Sequence, residues 1–168
     1  MTIDNFISNY NIKQADAIVI NKAFLGLLDH YIIYLGKEND NEHLFIANYS
    51  KGVKILYEKD IMEFSNYMTP VRIKKFVGNE NQRNVAVERA LFMKDRFSYD
   101  LILNNCEHFS NYVQTGVPYS QQTQVLGTGL TLAGLTTIVS SEKDSNEQYI
   151  GIGLLTLGLI TILLNNEK

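Results

Sequence analysis

The sequence predicts an α+β fold, in which a small antiparallel sheet packs with helices and is followed by hydrophobic C-terminal helices. Short segments rich in β-branched and aromatic residues alternate with polar turns, which is typical of antiparallel strands. Segments with helical spacing follow them. Charge then drops, because residues 117–168 contain only six charged side chains, whereas the whole chain has 15 Lys and Arg and 18 Asp and Glu. We therefore expect a folded domain over residues 1–116 and a hydrophobic segment over residues 117–168.

Five segments carry strand signals: residues 15–20, 29–35, 44–49, 53–56 and 71–76. The second of these, with the sequence DHYIIYL, is rich in Tyr and Ile and ends at Gly36. The polar run Lys37–Glu42 behind it predicts the turn of a hairpin, whose return strand is Leu44–Tyr49. The segments together predict a small sheet built around this hairpin.

Three helices are expected in the same domain. Lys59–Asn66, between the last two strands, is the first. Asn81–Phe97 is the second, because its apolar residues have amphipathic spacing. Asn104–Thr115 is the third, since it begins with Asn, which caps helices well, and is followed by Gly116, a residue type common just beyond a helix end.

The C-terminal segment contains two stretches without a charged residue, Val117–Ser141 and Gln148–Asn166, with glycines that allow close helix contact. Their fully apolar centres are shorter, and a helix of about 16 residues covers about 24 Å of a hydrocarbon core about 30 Å thick. Each stretch can span a membrane with its flanks, or the pair can form a shallow hairpin. Hydrophobic residues all around both helices favour a membrane anchor of one or two helices over a hairpin packed on the domain.

The composition argues against several classes of function. A net charge of -3 and a pI of about 5.6 give no basic surface for nucleic acid. The single cysteine excludes an intramolecular disulfide and a multi-cysteine zinc site. Because no GxGxxG, P-loop or metal-ligand spacing is present, we expect neither a cofactor nor a metal. The polar N-terminus has no apolar export signal, so the domain is expected in the cytoplasm.

Cys106 is the main candidate for chemistry. It falls in the first turn of the third predicted helix, where free N–H groups and the helix dipole stabilise a thiolate and lower its pKa. A nucleophilic thiol needs a general base within hydrogen-bond reach, and His30, on a predicted strand, is the best placed of the three histidines. The other interpretation of a lone cysteine is a buried structural thiol.

The segments HYIIYLG at 30–36 and NNCEHFSNYVQTG at 104–116 resemble the lecithin:retinol acyltransferase (LRAT)-like family, a circularly permuted branch of the NlpC-type, papain-like superfamily. Residues 105–109 reproduce the N-C-E-H-F box of that family. Residues 14–19 resemble its opening G-D-h-I-h strand, with Ala15 in place of the usual Gly. The resemblance covers about residues 12–116 and implies a permuted papain-like fold. Membrane-anchored members also carry an apolar C-terminal helix.

By this resemblance Cys106 is the nucleophile and His30 is its general base and acid. Asn48 is the expected orienting residue, because residues 46–53 align with the second histidine strand of the family and Asn can orient an imidazole. His43 is the competitor, since it lies 13 residues after His30, near the usual separation. Tyr31 and Tyr34 are expected to line the substrate groove. Glu107 and His108 belong to the box but are expected to be structural.

These expectations predict a membrane-associated thiol acyltransferase or acyl hydrolase that acts on phospholipid or other acyl-lipid esters through a Cys106 thioester. Its partners are then membrane lipid and small acyl donors and acceptors, and nucleic acid is not among them. Two alternatives stand beside it: a papain-like amidase or peptidase, and a non-catalytic protein that remodels or scaffolds membranes. Hydrolysis and transfer are equally compatible with the residues, and no oligomeric state is predicted.

Overall fold

The structure, a computed structural model, describes residues 2–21, 29–38, 42–67, 70–96, 100 and 102–166. The helices and strands in this part of the chain are, in order, α1 (Ile3–Asn9), β1 (Ala17–Asn21), β2 (Asp29–Glu38), β3 (Glu42–Tyr49), β4 (Gly52–Leu56), α2 (Glu58–Tyr67), β5 (Pro70–Lys74), α3 (Glu80–Phe92), α4 (Cys106–Thr115), α5 (Gln121–Ser140) and α6 (Asn146–Asn166). The predicted α+β class, with apolar C-terminal helices, is confirmed. The chain divides into two compact units, Met1–Asp100 with Asn104–Pro118, and Leu101–Leu103 with Tyr119–Lys168.

The described strands of the first unit form one antiparallel sheet in the order β4-β3-β2-β1-β5. β2 and β3 make the predicted hairpin, in which Ile33 lies opposite Ile46 and Lys37 opposite His43. β2 is therefore the central strand, with β3 on one side and β1 on the other. A central strand is held by hydrogen bonds on both edges, which makes it a rigid platform for a side chain.

Alternation along β2 sends its side chains to two separate cores. Tyr31, Ile33 and Leu35 pack with α3 and α4, in the same cluster as Cys106. Ile32 and Tyr34 lie in the other cluster, together with residues of α1 and α2. Successive strand residues point to opposite faces, so each face of the sheet is covered by a pair of helices.

α3 ends earlier than the predicted Phe97, a residue that lies outside the described part of the chain. Asn79 caps its start by accepting a hydrogen bond from the Gln82 N–H at 3.0 Å. Met93 caps its end, and Asp95 then adopts a left-handed φ of 58° while its N–H donates to the Val53 carbonyl at 3.1 Å. This hydrogen bond to β4 directs the chain away from the helix, although the helical spacing of apolar residues continues in the sequence.

The entrance to β1 is built around a buried carboxylate. Asp16 accepts hydrogen bonds from the N–H groups of Lys13 at 3.0 Å and Phe76 at 2.9 Å. It also pairs with Lys75 and with Arg83 of α3, each at 3.2 Å. Ala15 next to it has a φ of 63°, a left-handed conformation that glycine adopts more easily. The resemblance to a family with Gly at this position thus has a conformational basis.

The second unit is an antiparallel pair of helices, α5 and α6, that meet at glycines. Gly127 lies across from Gly158, where an added Cβ would come 2.6 Å from the Gly127 carbonyl. Gly134 lies across from Gly151 in the same way, with 2.7 Å to the Gly151 carbonyl. Real Cβ atoms do not approach a backbone oxygen so closely, so these four positions require glycine at this helix separation. The predicted close helix contact is confirmed at them.

Candidate active site

Cys106 lies in the first turn of α4, as predicted, but the helix begins at Cys106 and not at Asn104, which forms a bridge with Asp100 instead. Asn105 is the N-cap of the helix, and the Asn105 side chain accepts from the N–H groups of Glu107 at 2.9 Å and His108 at 3.0 Å. The His108 Nδ1 in turn accepts from the Asn105 N–H at 3.4 Å, which completes a reciprocal cap. The NCEH segment therefore encodes a fixed helix start, and the cysteine is held at that start.

The Cys106 sulfur lies against the beginning of β2. Its Sγ is 3.5 Å from the Asp29 carbonyl oxygen, to which the thiol donates, and the Tyr31 N–H donates to the sulfur. The pairing of β2 with β3 begins at Ile33. The sulfur contacts backbone groups of β2 that lie before this point in the chain. Because Asp29 and Tyr31 flank His30 in the chain, the sulfur contacts the backbone on both sides of His30.

The Cys106 thiol is protonated in this conformation. The side chain is only 5 % exposed, and burial raises the pKa of Cys106 to about 11, an effect to which the charge of Glu107 adds. The N–H groups of Tyr31, Cys106 and Glu107 act in the opposite direction but do not outweigh the burial. The lowered pKa expected at a helix start is therefore wrong for this state, since desolvation exceeds the stabilisation offered by the helix terminus. Any reaction of this thiol as a nucleophile would therefore require a group that takes its proton.

A raised thiol pKa predicts slow alkylation of the folded protein. Because only the thiolate reacts, a rise of the thiol pKa from its ordinary value of 9.0 to about 11 lowers the iodoacetamide rate at neutral pH by about 100-fold relative to the urea-unfolded chain. The folded rate should keep rising with pH until about 11. The raised pKa of Cys106 also contributes to the stability of the fold. This contribution is fully present below pH 9 and is lost as the pH rises through about 11. Mass spectrometry of the single cysteine gives the rate, and a plateau below pH 8 would contradict the assignment.

His30 is buried on β2, opposite Ile20 of β1, and its ring packs on Tyr49 with centroids 4.6 Å apart. Alternation puts His30 on the same face as Ile32, whereas Cys106 packs with Tyr31 on the other face. The sulfur, however, lies beside the strand edge, at the level of the His30 backbone. Imidazole and thiol thus approach the same end of β2 from two sides.

Tyr49 is not among the residues that the sequence predicts for the site, but the structure brings it there. If the β2–β3 register at Ile33–Ile46 continues to the strand end, His30 lies opposite Tyr49 and Tyr31 opposite Asn48. Burial raises the pKa of Tyr49, an effect to which the charge of Asp60 adds, so its hydroxyl stays protonated. Counting the register from the turn of the hairpin would have pointed to Ser50 instead, because the register shifts by one residue between Tyr34 and Gly36.

Asn48 and His43 are at opposite ends of β3. The fully buried Asn48 donates from its Nδ2 to the Asn104 carbonyl at 2.7 Å, just ahead of the NCEHF box, and its Oδ1 accepts no hydrogen bond among the described residues. His43 lies opposite Lys37, seven residues along β2 from His30, or about 23 Å at 3.3 Å per residue. Its ring bonds Tyr34 at 2.7 Å and Asp4 at 3.0 Å. Of the two candidates for the orienting role, only Asn48 lies beside the box.

Tyr31 and Tyr34 are 1 % and 6 % exposed, and both have internal partners. The Tyr31 hydroxyl donates to the Glu107 carboxylate at 3.1 Å and accepts from Arg72 at 2.9 Å. The Tyr34 hydroxyl bonds His43. In this conformation the two tyrosines secure α4 and the hairpin turn, respectively, and their contact with substrate stays a prediction.

A surface depression of about 400 Å³ opens next to the site, on the side of β3 and β4. It is lined by Tyr49, Ser50, Lys51, Lys54, Ile55, Leu56, Asp60 and Glu63. Tyr49 is shared between this depression and the ring contact with His30. The depression is therefore separated from the His30 ring by the Tyr49 side chain.

Comparison with known proteins gives a family match for this part of the chain. The family model described as lecithin retinol acyltransferase matches residues 10–119, which include β1 to β5, the NCEHF box and α4. A search of curated proteins gives no match. Among the described residues, no three His, Cys, Asp or Glu side chains are grouped as a metal site requires.

Proposed function

Because the chain belongs to the lecithin retinol acyltransferase family, we propose that it is a membrane-associated acyltransferase or acyl hydrolase in which Cys106 forms a thioester with an acyl-lipid ester. The observation that carries this proposal is the position of the Cys106 sulfur. It lies at a helix start, against the backbone on both sides of His30. A purely structural thiol has no need for an imidazole at the same strand end.

The protonated thiol defines the order of events. As the Cys106 sulfur attacks the ester carbonyl carbon, His30 takes the thiol proton, and a tetrahedral oxyanion forms. N–H groups that approach the sulfur, such as those of Tyr31 and Cys106, are the nearest donors for that oxyanion. The leaving alcohol departs with the proton from His30, and the acyl group remains on the sulfur. Water or an acyl-accepting alcohol or amine then attacks the thioester, loses a proton to His30 and restores the thiol.

Asn48 stays the proposed orienting residue. It shares the Cys106 face of the sheet with Ile46, whereas His30 shares the opposite face with Ile32, so we propose that it acts on His30 indirectly, by holding β3 against the residue that precedes the NCEHF box. This assignment predicts the ranking of two variants. Asn48→Ala should slow turnover by at least about tenfold, because it removes the side chain that ties β3 to the NCEHF box. His43→Ala should leave the rate near that of the wild type, since His43 contacts Tyr34 and Asp4 at the other strand end. Steady-state kcat of both variants decides the matter. The reverse ranking would contradict the role proposed for Asn48, since His43 lies about 23 Å along the strand from His30 and could act only through the hairpin.

The membrane part of the proposal rests on α6. Its 21 residues have a mean hydropathy of 1.7 over the most apolar 18, of which only 17 % are buried within the protein. A helix of this length is about 31 Å long and matches the hydrocarbon core. Anchoring the catalytic domain to a bilayer, on its cytoplasmic side, holds it among acyl esters at high effective concentration. Acyl lipids are therefore the proposed donors.

The burial of Cys106 also favours a second candidate, a non-catalytic membrane protein that keeps the fold. One experiment separates it from the enzyme. The full-length protein in phosphatidylcholine vesicles of uniform chain length should gain the mass of one acyl group, and hydroxylamine should remove it, as it does a thioester. Cys106→Ser should gain no hydroxylamine-sensitive mass. A hydroxylamine-sensitive acyl mass on Cys106→Ser, or an unmodified wild type that also leaves the lipid intact, would contradict the proposal, and cleavage of peptides without lipid turnover would favour an amidase.

A further inference from the structure

We infer that α5 enters the bilayer together with α6, so that the chain crosses twice and the end of α6 returns to the side from which α5 starts. This inference rests on the proposed membrane association. It goes beyond it, because α6 alone would be a sufficient anchor and α5 is the less apolar helix of the two. Three features of the second unit support a shared, paired insertion.

The first feature is the surface of the pair. α5 exposes large apolar side chains along its length, from Val125 near its start to Val139 near its end, the latter 85 % exposed. α6 does the same from Tyr149 to Leu164. The large exposed side chains of the hairpin are Val125, Leu126, Leu132, Leu135, Val139, Tyr149, Ile150, Ile152, Leu157, Leu159, Ile160, Leu163 and Leu164. A two-sided apolar surface of this kind is suited to lipid and costly in water.

The second feature is that side-chain hydroxyls of α5 form hydrogen bonds within the helix. Without such partners, these polar groups would argue against placing α5 in the hydrocarbon core of a bilayer. The hydroxyls of Thr128, Thr131, Thr136 and Thr137 each donate to the carbonyl four residues earlier, at 2.8 to 2.9 Å. Ser140 does the same to Thr136 at 2.9 Å. In a bilayer, polar groups must be satisfied within the protein, and these are. The threonines therefore lower the hydropathy of α5 without leaving a donor for water.

The third feature is the closure of the pair. The glycines at 127, 134, 151 and 158 bring the two backbones into contact, as small residues do between membrane helices. At the end of the pair where α5 begins and α6 ends, Asn165 is buried and forms two hydrogen bonds with Ser120. It accepts from the Ser120 N–H at 3.0 Å and donates to the Ser120 carbonyl at 3.1 Å. At the other end, the linker from Glu142 to Glu147 carries the charges. The start of α5 and the end of α6 are thus fixed at one end, and the charged linker lies at the other.

Trypsin tests this topology on the unmodified chain, because Lys143 is the one Lys or Arg between Arg96 and Lys168. Full-length protein in sealed vesicles, with the catalytic domain facing the protease, should leave residues 97–168 as an intact fragment. Opening the vesicles should then allow cleavage after Lys143, and Lys143→Gln should abolish that cleavage. Cleavage at Lys143 in sealed vesicles would overturn the inference, since it indicates that α6 crosses alone or that the hairpin is shallow.

The position of the C-terminus completes the test. In the variant Cys106→Ser with Lys168→Cys, an impermeant maleimide should label the new thiol from the side that carries the catalytic domain, without opening the vesicles. Labelling only after opening would show that α5 crosses without α6, which also overturns the inference. Neither readout depends on acyl transfer. The proposed function can therefore fail in the lipid assay while the topology stands, and the converse also holds.

Discussion

His30→Gln is expected to lower the rate of Cys106 acylation by about 10²- to 10⁴-fold at neutral pH, the usual contribution of a general base. Burial keeps the Cys106 thiol protonated, so attack requires a group that takes the proton at the same moment. Gln has nearly the size of His and can donate and accept hydrogen bonds, but it cannot accept the proton. Burst-phase release of alcohol from an activated acyl ester, with the full chain in detergent, measures this step.

His43→Gln is the matched control, because His43 is also buried on the hairpin but lies about 23 Å along the strand from His30. Its acylation rate should stay near that of the wild type. Raising the pH should partly restore His30→Gln, since solvent then removes the thiol proton. Equal losses in both variants would show a shared effect on folding, and an unchanged His30→Gln would remove His30 from the mechanism.

The position of Cys106 could be predicted because the information that sets it is local in the sequence. Asn105, Cys106 and His108 form the helix cap among themselves, so the short segment specifies where the sulfur stands on α4. The hairpin could be predicted for the same reason, since the strand and turn signals are adjacent in sequence. α1 was missed because its seven residues have little helical pattern, and the helix rests on a cap from Thr2 and on two buried residues, Ile3 and Phe6.

The thiol pKa and the partner of His30 could not be predicted, because both depend on residues far apart in the chain. A helix start alone lowers a thiol pKa, but Cys106 packs into a core of residues from distant parts of the chain, and this burial raises its pKa although the Tyr31 N–H lowers it. Tyr49 lies next to His30 only because the two strands pair in one register, and a shift of one residue would present Asn48 instead.

Asp16→Asn is expected to destabilise the first unit by about 3–5 kcal/mol, the cost of removing one partner of a buried ion pair. Asp16 is 1 % exposed and joins three parts of the chain: the turn before β1, the residue Phe76 after β5, and Arg83 of α3. Asn keeps the shape but removes the charge that compensates the largely buried Arg83 guanidinium. Because a domain of this size is stable by about 5–15 kcal/mol, the variant should lose much of that stability.

Cys106 supplies the measurement, since the thiol is buried in the folded state and becomes reactive when the unit unfolds. Pulsed alkylation across a urea series should place the midpoint of Asp16→Asn well below that of the wild type. Asp95→Asn makes the same chemical change in an exposed pair with Lys54 at 3.8 Å, and an exposed pair contributes about 0–1 kcal/mol. Asn also tolerates the left-handed φ of 58° at this position. If the two variants shifted the midpoint equally, Asp16 would contribute no more to stability than an exposed charge does. The contact between β1, β5 and α3 would then depend on packing alone.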